Sequence, residues 1–181
     1  MRVHRRTGKA VTMIEIRTLS NTPETVDQLT DVLISTVAAG GSVGFMHPVS
    51  MEEARAFWQK ALQDAAEGHR VIFGAWEDAK LRGTVTLITG MPPNQPHRAE
   101  IAKMMTHPQA RQRGIATRLI QAAEAEAAAR GKTLLVLDTA ADEGAGPFYE
   151  KLGYSLSGEI PDFALKPHGG LTGTLFFWKK L

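Results

Sequence analysis

The sequence predicts a single α/β or α+β domain in which a mixed sheet carries helices on both faces. The first observation is length, because 181 residues most simply form one domain, which can bury roughly 70% of its unfolded surface. The second is the order of apolar patterns, which predicts β-α-α-β-β-β-α-β-α-β-β. The third is that no repeat and no long linker divides this order.

The chain begins with a predicted strand and a predicted helix. Residues 13–19 alternate between apolar and polar side chains, as half-buried strands do. Asn21 is the predicted N-cap, with Pro23 in the first turn and Glu24 completing a capping box. The helix should run to about residue 38, because the glycines at 40 and 41 then end it.

Ser50 and Glu53 repeat the same start signal and predict a second helix, which ends at Gly68. The apolar side chains that should form its buried stripe are Ala54, Phe57, Trp58, Ala61 and Leu62. Two strands, 69–77 and 81–90, then form a predicted hairpin.

The second half of the chain alternates strands with helices. Three prolines make 91–97 a predicted loop. A continuous apolar run at 132–139 predicts a strand buried on both faces. The remaining predicted elements are a strand at 98–106, a long helix at 111–131, a short helix at 143–153, a strand at 154–160, a loop containing Pro161 and Pro167, and a last strand at 173–180.

The formal net charge of +2 does not indicate a nucleic-acid-binding protein. Four of the 21 basic residues lie in the first twelve positions, which hold no acid, and the rest of the chain is slightly acidic. This segment lacks the apolar core of a secretory signal. We therefore expect residues 1–12 to be a flexible basic tail, upstream of an alternative start at Met13, and residues 13–181 to be the domain.

Composition excludes further classes of function. The chain has no cysteine, which rules out disulfides, a thiol nucleophile and thiolate metal sites and fits a reducing compartment. Its six histidines have no metal-ligand spacing, so no metal is expected. No apolar run approaches the ~20 residues of a membrane span. We therefore expect a cytoplasmic protein that binds neither membrane nor nucleic acid.

The clearest chemical signal begins at Arg111, where a strand and a break precede the long helix. The first N–H groups of a helix have no partner within it and, together with the helix dipole, bind anions. Gly114 and Ala116 carry little side chain, so a diphosphate can approach the main chain. Arg111 and Arg113 add positive charge and paired donors. The segment is neither a dinucleotide-binding fingerprint nor a P-loop.

Residues 111–116 match R/Q-x-x-G-x-G/A and resemble the pyrophosphate motif of the GCN5-related N-acetyltransferases, the GNAT superfamily. Residues 144–154 resemble the signature A-x-x-x-Y-x-x-x-G-F/Y of that family. The matching positions there are Ala145, Tyr149, Gly153 and Tyr154, of which Tyr154 is expected to be core. Asp142 departs from the pattern, because the family often has asparagine there, and it is not expected to bind the cofactor.

The resemblance implies a GNAT fold, with a mixed, mostly antiparallel central sheet of about seven strands, flanked by four helices and splayed between the fourth and fifth strands. It also implies acetyl-CoA as co-substrate, with pantetheine amides bonding to the main chain just before the proline break. The implied cofactor-binding residues are Met104, Met105, Thr106, Arg111, Gln112, Arg113, Gly114, Ile115, Ala116, Thr117, Phe148 and Tyr149. Homodimers are common among such enzymes.

Acetyl transfer to an amine needs a base for the ammonium and an acid for the departing thiolate. The resemblance makes Tyr149 the candidate acid. Asp138 and Glu100 are the candidate bases, and the sequence does not choose between them. Asp138 could instead be a helix-start residue, and Glu100 could be a surface partner of Lys103 or Arg98.

The acceptor is the least defined part of the prediction. Residues 38–48 are rich in glycine, but no strand precedes them, so they are a helix-ending linker or a wall of the acceptor site. The candidate substrate-binding residues are Val43, Gly44, Phe45, Met46, Glu100 and Asp138. Several short segments resemble the tabtoxin resistance subgroup of the family, which implies a small amino-acid-like acceptor such as tabtoxinine-β-lactam. Polyamines, aminoglycosides, peptide N-termini and lysine remain open, as does a non-catalytic module that binds acetyl-CoA.

Overall fold

The structure is a computed structural model that describes residues 13–181, so the predicted basic tail lies outside the described residues. The elements follow the predicted order. They are β1 (Ile14–Thr18), α1 (Pro23–Ala38), α2 (Met51–Ala66), β2 (Arg70–Glu77), β3 (Lys80–Ile88), β4 (Arg98–Thr106), α3 (Ile115–Ala129), β5 (Leu134–Ala140), α4 (Gly146–Lys151), β6 (Ser155–Leu165) and β7 (Leu171–Lys180). Short 3₁₀ turns lie at Pro108–Ala110 and Ala141–Glu143.

The seven strands form one sheet in the order β1-β2-β3-β4-β5-β7-β6. Only β4 and β5 are parallel, which confirms the predicted mixed and mostly antiparallel sheet. Those two strands pair over three positions, from Arg98 opposite Leu134 to Glu100 opposite Val136. Beyond Glu100 they diverge, as expected of a sheet splayed between its fourth and fifth strands.

A bulge distorts β4 next to this divergence. Thr84 of β3 pairs with Met105, whereas Thr86 pairs with Ala102, so β4 has one extra residue between two registered pairs. Lys103 lies in this bulge with a φ of 50°, a left-handed conformation that is uncommon for a residue other than glycine. The bulge changes the local direction of β4 on the side where β5 has separated from it.

Apolar residues pack on both faces of the sheet. One core joins α3 and α4 to the sheet through Leu119, Ile120, Leu135, Tyr149 and Phe177. The other core joins α1 and α2 to the opposite face and contains Leu29, Leu33, Trp58, Leu62 and Ile72. Within residues 13–181, no helix is both long enough and apolar enough to cross a membrane.

Both predicted N-terminal caps occur near their expected positions, and one differs by a residue. Thr22, not Asn21, caps α1, because its hydroxyl accepts a hydrogen bond from the N–H of Thr25 at 3.2 Å. Ser50 caps α2 as predicted, with a 3.0 Å bond from the N–H of Glu53. The long helix begins at Ile115 instead of residue 111, because Gly114 precedes it in a left-handed conformation.

Two strand predictions are corrected. β5 is not buried on both faces, because its buried residues alternate and Asp138 is exposed. β6 extends to Leu165 and includes Pro161, which was predicted to lie in a loop. Proline is tolerated there because β6 is the edge strand and its register with β7 shifts between Ile160 and Ala164.

We predict that Gly83→Ala destabilises the domain, because a Cβ there would lie 2.8 Å from the carbonyl oxygen of Met105 and 3.0 Å from Ile115 Cγ2. We expect the free energy of unfolding in urea to fall by about 1–3 kcal/mol. Gly146→Ala is the matched control, because its Cβ would come no closer than 3.4 Å to any neighbour. Equal stability of the two variants would contradict this packing argument.

Candidate active site

A cavity of about 680 Å³ lies where β4 and β5 diverge. It is bounded by the bulged end of β4, the N-terminus of α3, the last residues of β5 and the residues that precede and begin α4. The segment after α1 and the β6–β7 hairpin complete its wall. The candidate residues from distant parts of the sequence therefore meet in one place, with the exceptions described below.

One end of the cavity is formed by the start of α3. Gly114 has a φ of 72° and offers no capping side chain. The first backbone hydrogen bond of the helix runs from the N–H of Arg118 to the carbonyl of Gly114. The N–H groups of Ile115, Ala116 and Thr117 therefore have no helical partner, and all three residues line the cavity. This end can bind an anion through main-chain donors and the helix dipole.

The two arginines of the predicted anion motif behave differently. Arg111 is exposed and lines the cavity, as does Gln112. Arg113 does not line it, because its guanidinium pairs with Glu77, which also binds Arg82 at 2.8 Å. The two arginines hold the pKa of Glu77 at about 2, Arg113 having the larger effect. The geometry therefore does not favour the predicted role of the Arg113 side chain in the anion site.

The middle of the cavity follows β4 after its separation from β5. Met104, Met105 and Thr106, whose main chain is predicted to bind the cofactor, line it. Met105 is 2% exposed and its side chain packs in the core. The edge of β4 that would pair with a fifth strand has no register partner after Glu100, so its main chain is available to an extended ligand.

Asp138 and Tyr149 also line the cavity and are close enough for the charge of Asp138 to act on the phenol. Tyr149 is 6% exposed, packs edge-on against Phe148 and lines the cavity. Burial and then the charge of Asp138 raise the pKa of Tyr149 to about 12. The side chain of Asp138 is exposed to the cleft. The surrounding protein nevertheless raises the pKa of its carboxyl by burial, and the charge of Lys103 opposes this rise. Tyr149 thus keeps its proton at neutral pH, and Asp138 is a more basic carboxylate than usual.

Glu100, the second candidate base, is not among the residues that line the cavity. It accepts a hydrogen bond from Arg98 at 2.6 Å and lies where β4 is still paired with β5. Its charge nevertheless raises the pKa of Asp138. Glu100 therefore acts electrostatically on Asp138, whereas Asp138 is the candidate base that lines the cavity.

The segment after α1 forms a wall of the cavity. The sequence allows two interpretations of its glycines, as a helix-ending linker or as part of such a wall. Val43, Gly44 and Phe45 line the cavity, whereas Met46 does not and is 47% exposed. The N–H of Ser42 donates to Glu143 at 2.6 Å, which holds this segment near the start of α4. Met46 therefore has no geometric support as a substrate-binding residue.

Sequence reasoning missed several lining residues. Lys103 was considered only as a surface partner of Glu100, yet it lines the cavity beside Gly44. The missed residues of the β6–β7 hairpin are Phe163, Ala164, Leu165, Thr172 and Thr174. No local pattern marks these positions, because the hairpin reaches the cavity only through pairing of β7 with β5.

Asp142 has a structural role, which agrees with its exclusion as a cofactor ligand. It accepts hydrogen bonds from Thr172 at 2.7 Å and from Lys166 at 3.0 Å, and these contacts lower its pKa. They connect the turn after β5 to the β6–β7 hairpin. Among residues 13–181, no group of three potential metal ligands is found.

Comparison with known proteins gives a consistent result. The model of the acetyltransferase (GNAT) family matches residues 41–154. An uncharacterised N-acetyltransferase encoded in the hisH–hisA intergenic region of Azospirillum brasilense is 32% identical over 112 residues, which span 61% of this chain and 65% of that protein. The match thus covers less than two thirds of that relative.

Solved structures share the fold at low sequence identity. An N-acetyltransferase from Staphylococcus aureus Mu50 superposes with a TM-score of 0.78 at 22% identity, covering 93% of this chain and 98% of that one. The yncA protein of Salmonella typhimurium, solved with its cofactor acetyl-CoA, has a TM-score of 0.75 at 17% identity, covering 93% and 94%.

The raised pKa values of the tyrosines can be tested directly, because the chain has only Tyr149 and Tyr154. Burial raises both. We expect the folded protein to show no tyrosinate absorbance at 295 nm around pH 10, where the urea-unfolded chain ionises at the ordinary pKa of about 10. Circular dichroism checks that the protein remains folded during the titration. A phenolate that forms near pH 10 in the folded protein would refute the assigned environment.

Proposed function

Because the chain belongs to the acetyltransferase (GNAT) family, we propose that it is an acetyl-CoA-dependent N-acetyltransferase that acts on the primary amine of a small molecule. The observation that carries this proposal is one cavity that is lined both by unpaired main-chain donors and by a carboxylate and a protonated tyrosine. Such a cavity can hold a diphosphate and a reacting amine at the same time.

The cofactor would lie along β4. Its pyrophosphate would accept hydrogen bonds from the N–H groups at 115–117, with Arg111 as the added cation. Its pantetheine amides would bond to the main chain of Met104 and Thr106, where β4 has no neighbouring strand. Gln112 and Phe148 complete this half of the cavity.

The transfer would be a direct attack in a ternary complex. Asp138 takes a proton from the ammonium group, and the free amine then attacks the thioester carbonyl carbon. The C–N bond forms, the C–S bond breaks, and Tyr149 donates a proton to the departing thiolate. The excess proton on the new amide nitrogen then passes to the tyrosinate, which restores Tyr149. The environment of each residue favours this assignment of base and acid, because the carboxyl of Asp138 is made more basic and the phenol of Tyr149 keeps its proton. Glu100 acts through the pKa of Asp138.

The acceptor we propose is amino-acid-like, with tabtoxinine-β-lactam as one candidate and toxin resistance as the corresponding biological role. Polyamines, aminoglycosides, peptide N-termini and lysine are the competing acceptors. Because acetyl-CoA is a metabolite of the cell interior and the chain lacks cysteine, we also propose a cytoplasmic location. Neither nucleic acid nor membrane has a role in this proposal.

The proposal includes a homodimer formed through the β6–β7 hairpin. β6 is an edge strand whose eleven residues are all exposed. The exposed apolar side chains of the hairpin are Leu156, Ile160, Phe163, Leu165 and Leu171. Monomeric proteins rarely expose large apolar patches, and a twofold contact would cover this one with its own copy. Light scattering should show a dimer that Leu171→Glu weakens.

The function is tested by thiol release from acetyl-CoA with a panel of amines that includes tabtoxinine-β-lactam, spermidine, kanamycin, an alanine-terminated peptide and free amino acids. Turnover with a small amine supports the proposal. Calorimetric binding of acetyl-CoA without turnover of any amine would favour a non-catalytic module instead. Absence of both binding and turnover would contradict the assignment of the cavity to acetyl-CoA.

The two arginines of the motif form a matched pair. We predict that Arg111→Ala raises the Kd for acetyl-CoA about three- to tenfold, because a charged contact to phosphate is lost. Arg113→Ala should change it by less than about twofold, because that guanidinium is paired with Glu77. Isothermal titration calorimetry measures both. A larger change in the Kd for Arg113→Ala than for Arg111→Ala would show that Arg113 contributes to the anion site.

The two candidate bases can be separated by pH–rate profiles. Wild-type activity should fall with decreasing pH as Asp138 becomes protonated, at a pKa above the usual carboxyl range. Asp138→Asn should lower kcat by roughly 10²- to 10⁴-fold and remove this limb. Glu100→Gln should keep most activity and move the limb to lower pH, because the charge of Glu100 raises the pKa of Asp138.

Tyr149→Phe is the companion variant, with lower kcat expected and an acetyl-CoA Kd within about twofold of wild type. A normal kcat in Asp138→Asn, combined with a large loss in Glu100→Gln, would exchange the roles of the two carboxylates. A normal kcat in Tyr149→Phe would exclude the tyrosine as the acid.

A further inference from the structure

The cavity contains a cation that the proposed reaction does not use. Lys103 lies in the β4 bulge and lines the cavity. Its Nζ is 5.7 Å from the centre of the Phe57 ring, and a Cβ placed on Gly44 would lie 3.3 Å from it. The ammonium group is thus located at the side of the cavity that is walled by the segment after α1.

Lys103 differs from comparable cations in lacking a partner. The other half-buried lysines and arginines of residues 13–181 bind carboxylates or carbonyls: Arg70, Arg82, Arg98, Lys132, Lys166 and Lys179. For Lys103 the described part of the chain provides neither an ion pair nor a hydrogen bond. Burial lowers its pKa, and the charge of Asp138 opposes this effect. A half-buried cation that makes no direct ion pair or hydrogen bond is costly unless a ligand supplies such a partner.

The backbone supports the same interpretation. Lys103 has a φ of 50°, a left-handed conformation that is unfavourable for a residue other than glycine. Local strain of this kind persists where the surrounding structure determines it and is concentrated at functional sites. The bulge thus presents a strained lysine to a cavity that Asp138 also lines, whereas Glu143, the other carboxylate of the lining, accepts a hydrogen bond from the N–H of Ser42.

We infer that Lys103 binds the carboxylate of the acceptor, so that the substrate is a zwitterionic amino acid or a close analogue whose amine faces Asp138. This inference rests on the proposed function and specifies its substrate class. A polyamine or an aminoglycoside would instead bring a second cation toward Lys103, and this repulsion disfavours both.

The test compares matched acceptors that differ only in the carboxylate: L-lysine with cadaverine, L-phenylalanine with phenethylamine, and L-methionine with 3-(methylthio)propylamine. Thiol release from acetyl-CoA gives kcat/KM for each. Wild type should prefer the amino acid in at least one pair by tenfold or more. Lys103→Met should abolish this preference, mainly by raising the KM of the amino acid roughly ten- to hundredfold. Its effect on the decarboxylated monoamines should be much smaller, and it should be limited to a shift of the pH–rate profile, because the charge of Lys103 also acts on Asp138.

Further variants separate carboxylate binding from other roles. Lys103→Arg keeps the charge and should retain most of the preference, whereas Lys180→Met removes an exposed lysine outside the cavity and should act as wild type. Thermal unfolding and the acetyl-CoA Kd check that each variant is folded. Equal loss for both members of a pair in Lys103→Met, or wild-type preference for the decarboxylated amine, would overturn the inference. Absence of turnover with every amine would overturn the proposed function, and the inference with it.

Discussion

The short pairing of β4 with β5 is the constraint on which the rest of the site depends. The two strands are parallel and are connected through α3, so the helix begins at the same end of the sheet at which β4 finishes. Because they pair over only three positions, they separate before β4 ends. This separation leaves an unpaired strand edge, a helix N-terminus and the end of β5 facing one another. A fully paired β4–β5 ladder would close the cavity.

Main-chain geometry at two points adapts the site to this separation. Gly114 places the first amides of α3 at the cavity, and its left-handed conformation is one that glycine adopts without strain. The bulge at Lys103 adds a residue to β4 where the strand is no longer constrained by β5. The left-handed glycine and the bulge both interrupt regular structure. Both lie where main-chain groups would otherwise be paired within a sheet or a helix.

The sequence predicted most of the fold because its signals are local. Alternation in 14–18, the cap at Ser50 and the prolines of the loop before β4 each depend on a few neighbouring residues. Pro161 misled the prediction, because its effect depends on whether β6 is an edge strand, which is a property of the whole sheet. The site was predicted in part for the same reason. The anion motif is contiguous in sequence, whereas the contact of Arg113 with Glu77 joins residues that are 36 positions apart.

Electrostatics couples the two halves of the proposed chemistry in a way that sequence could not predict. Asp138 is influenced by Lys103 and Glu100 with opposite sign, and it in turn raises the pKa of Tyr149. A bound carboxylate would neutralise Lys103 and weaken its lowering effect on the pKa of Asp138, which would make that carboxylate a stronger base when an amino acid is present. Binding of the acceptor and activation of its amine would then be linked through one lysine in a bulge. An acceptor without the carboxylate would lose both its contact with Lys103 and this increase in the basicity of Asp138.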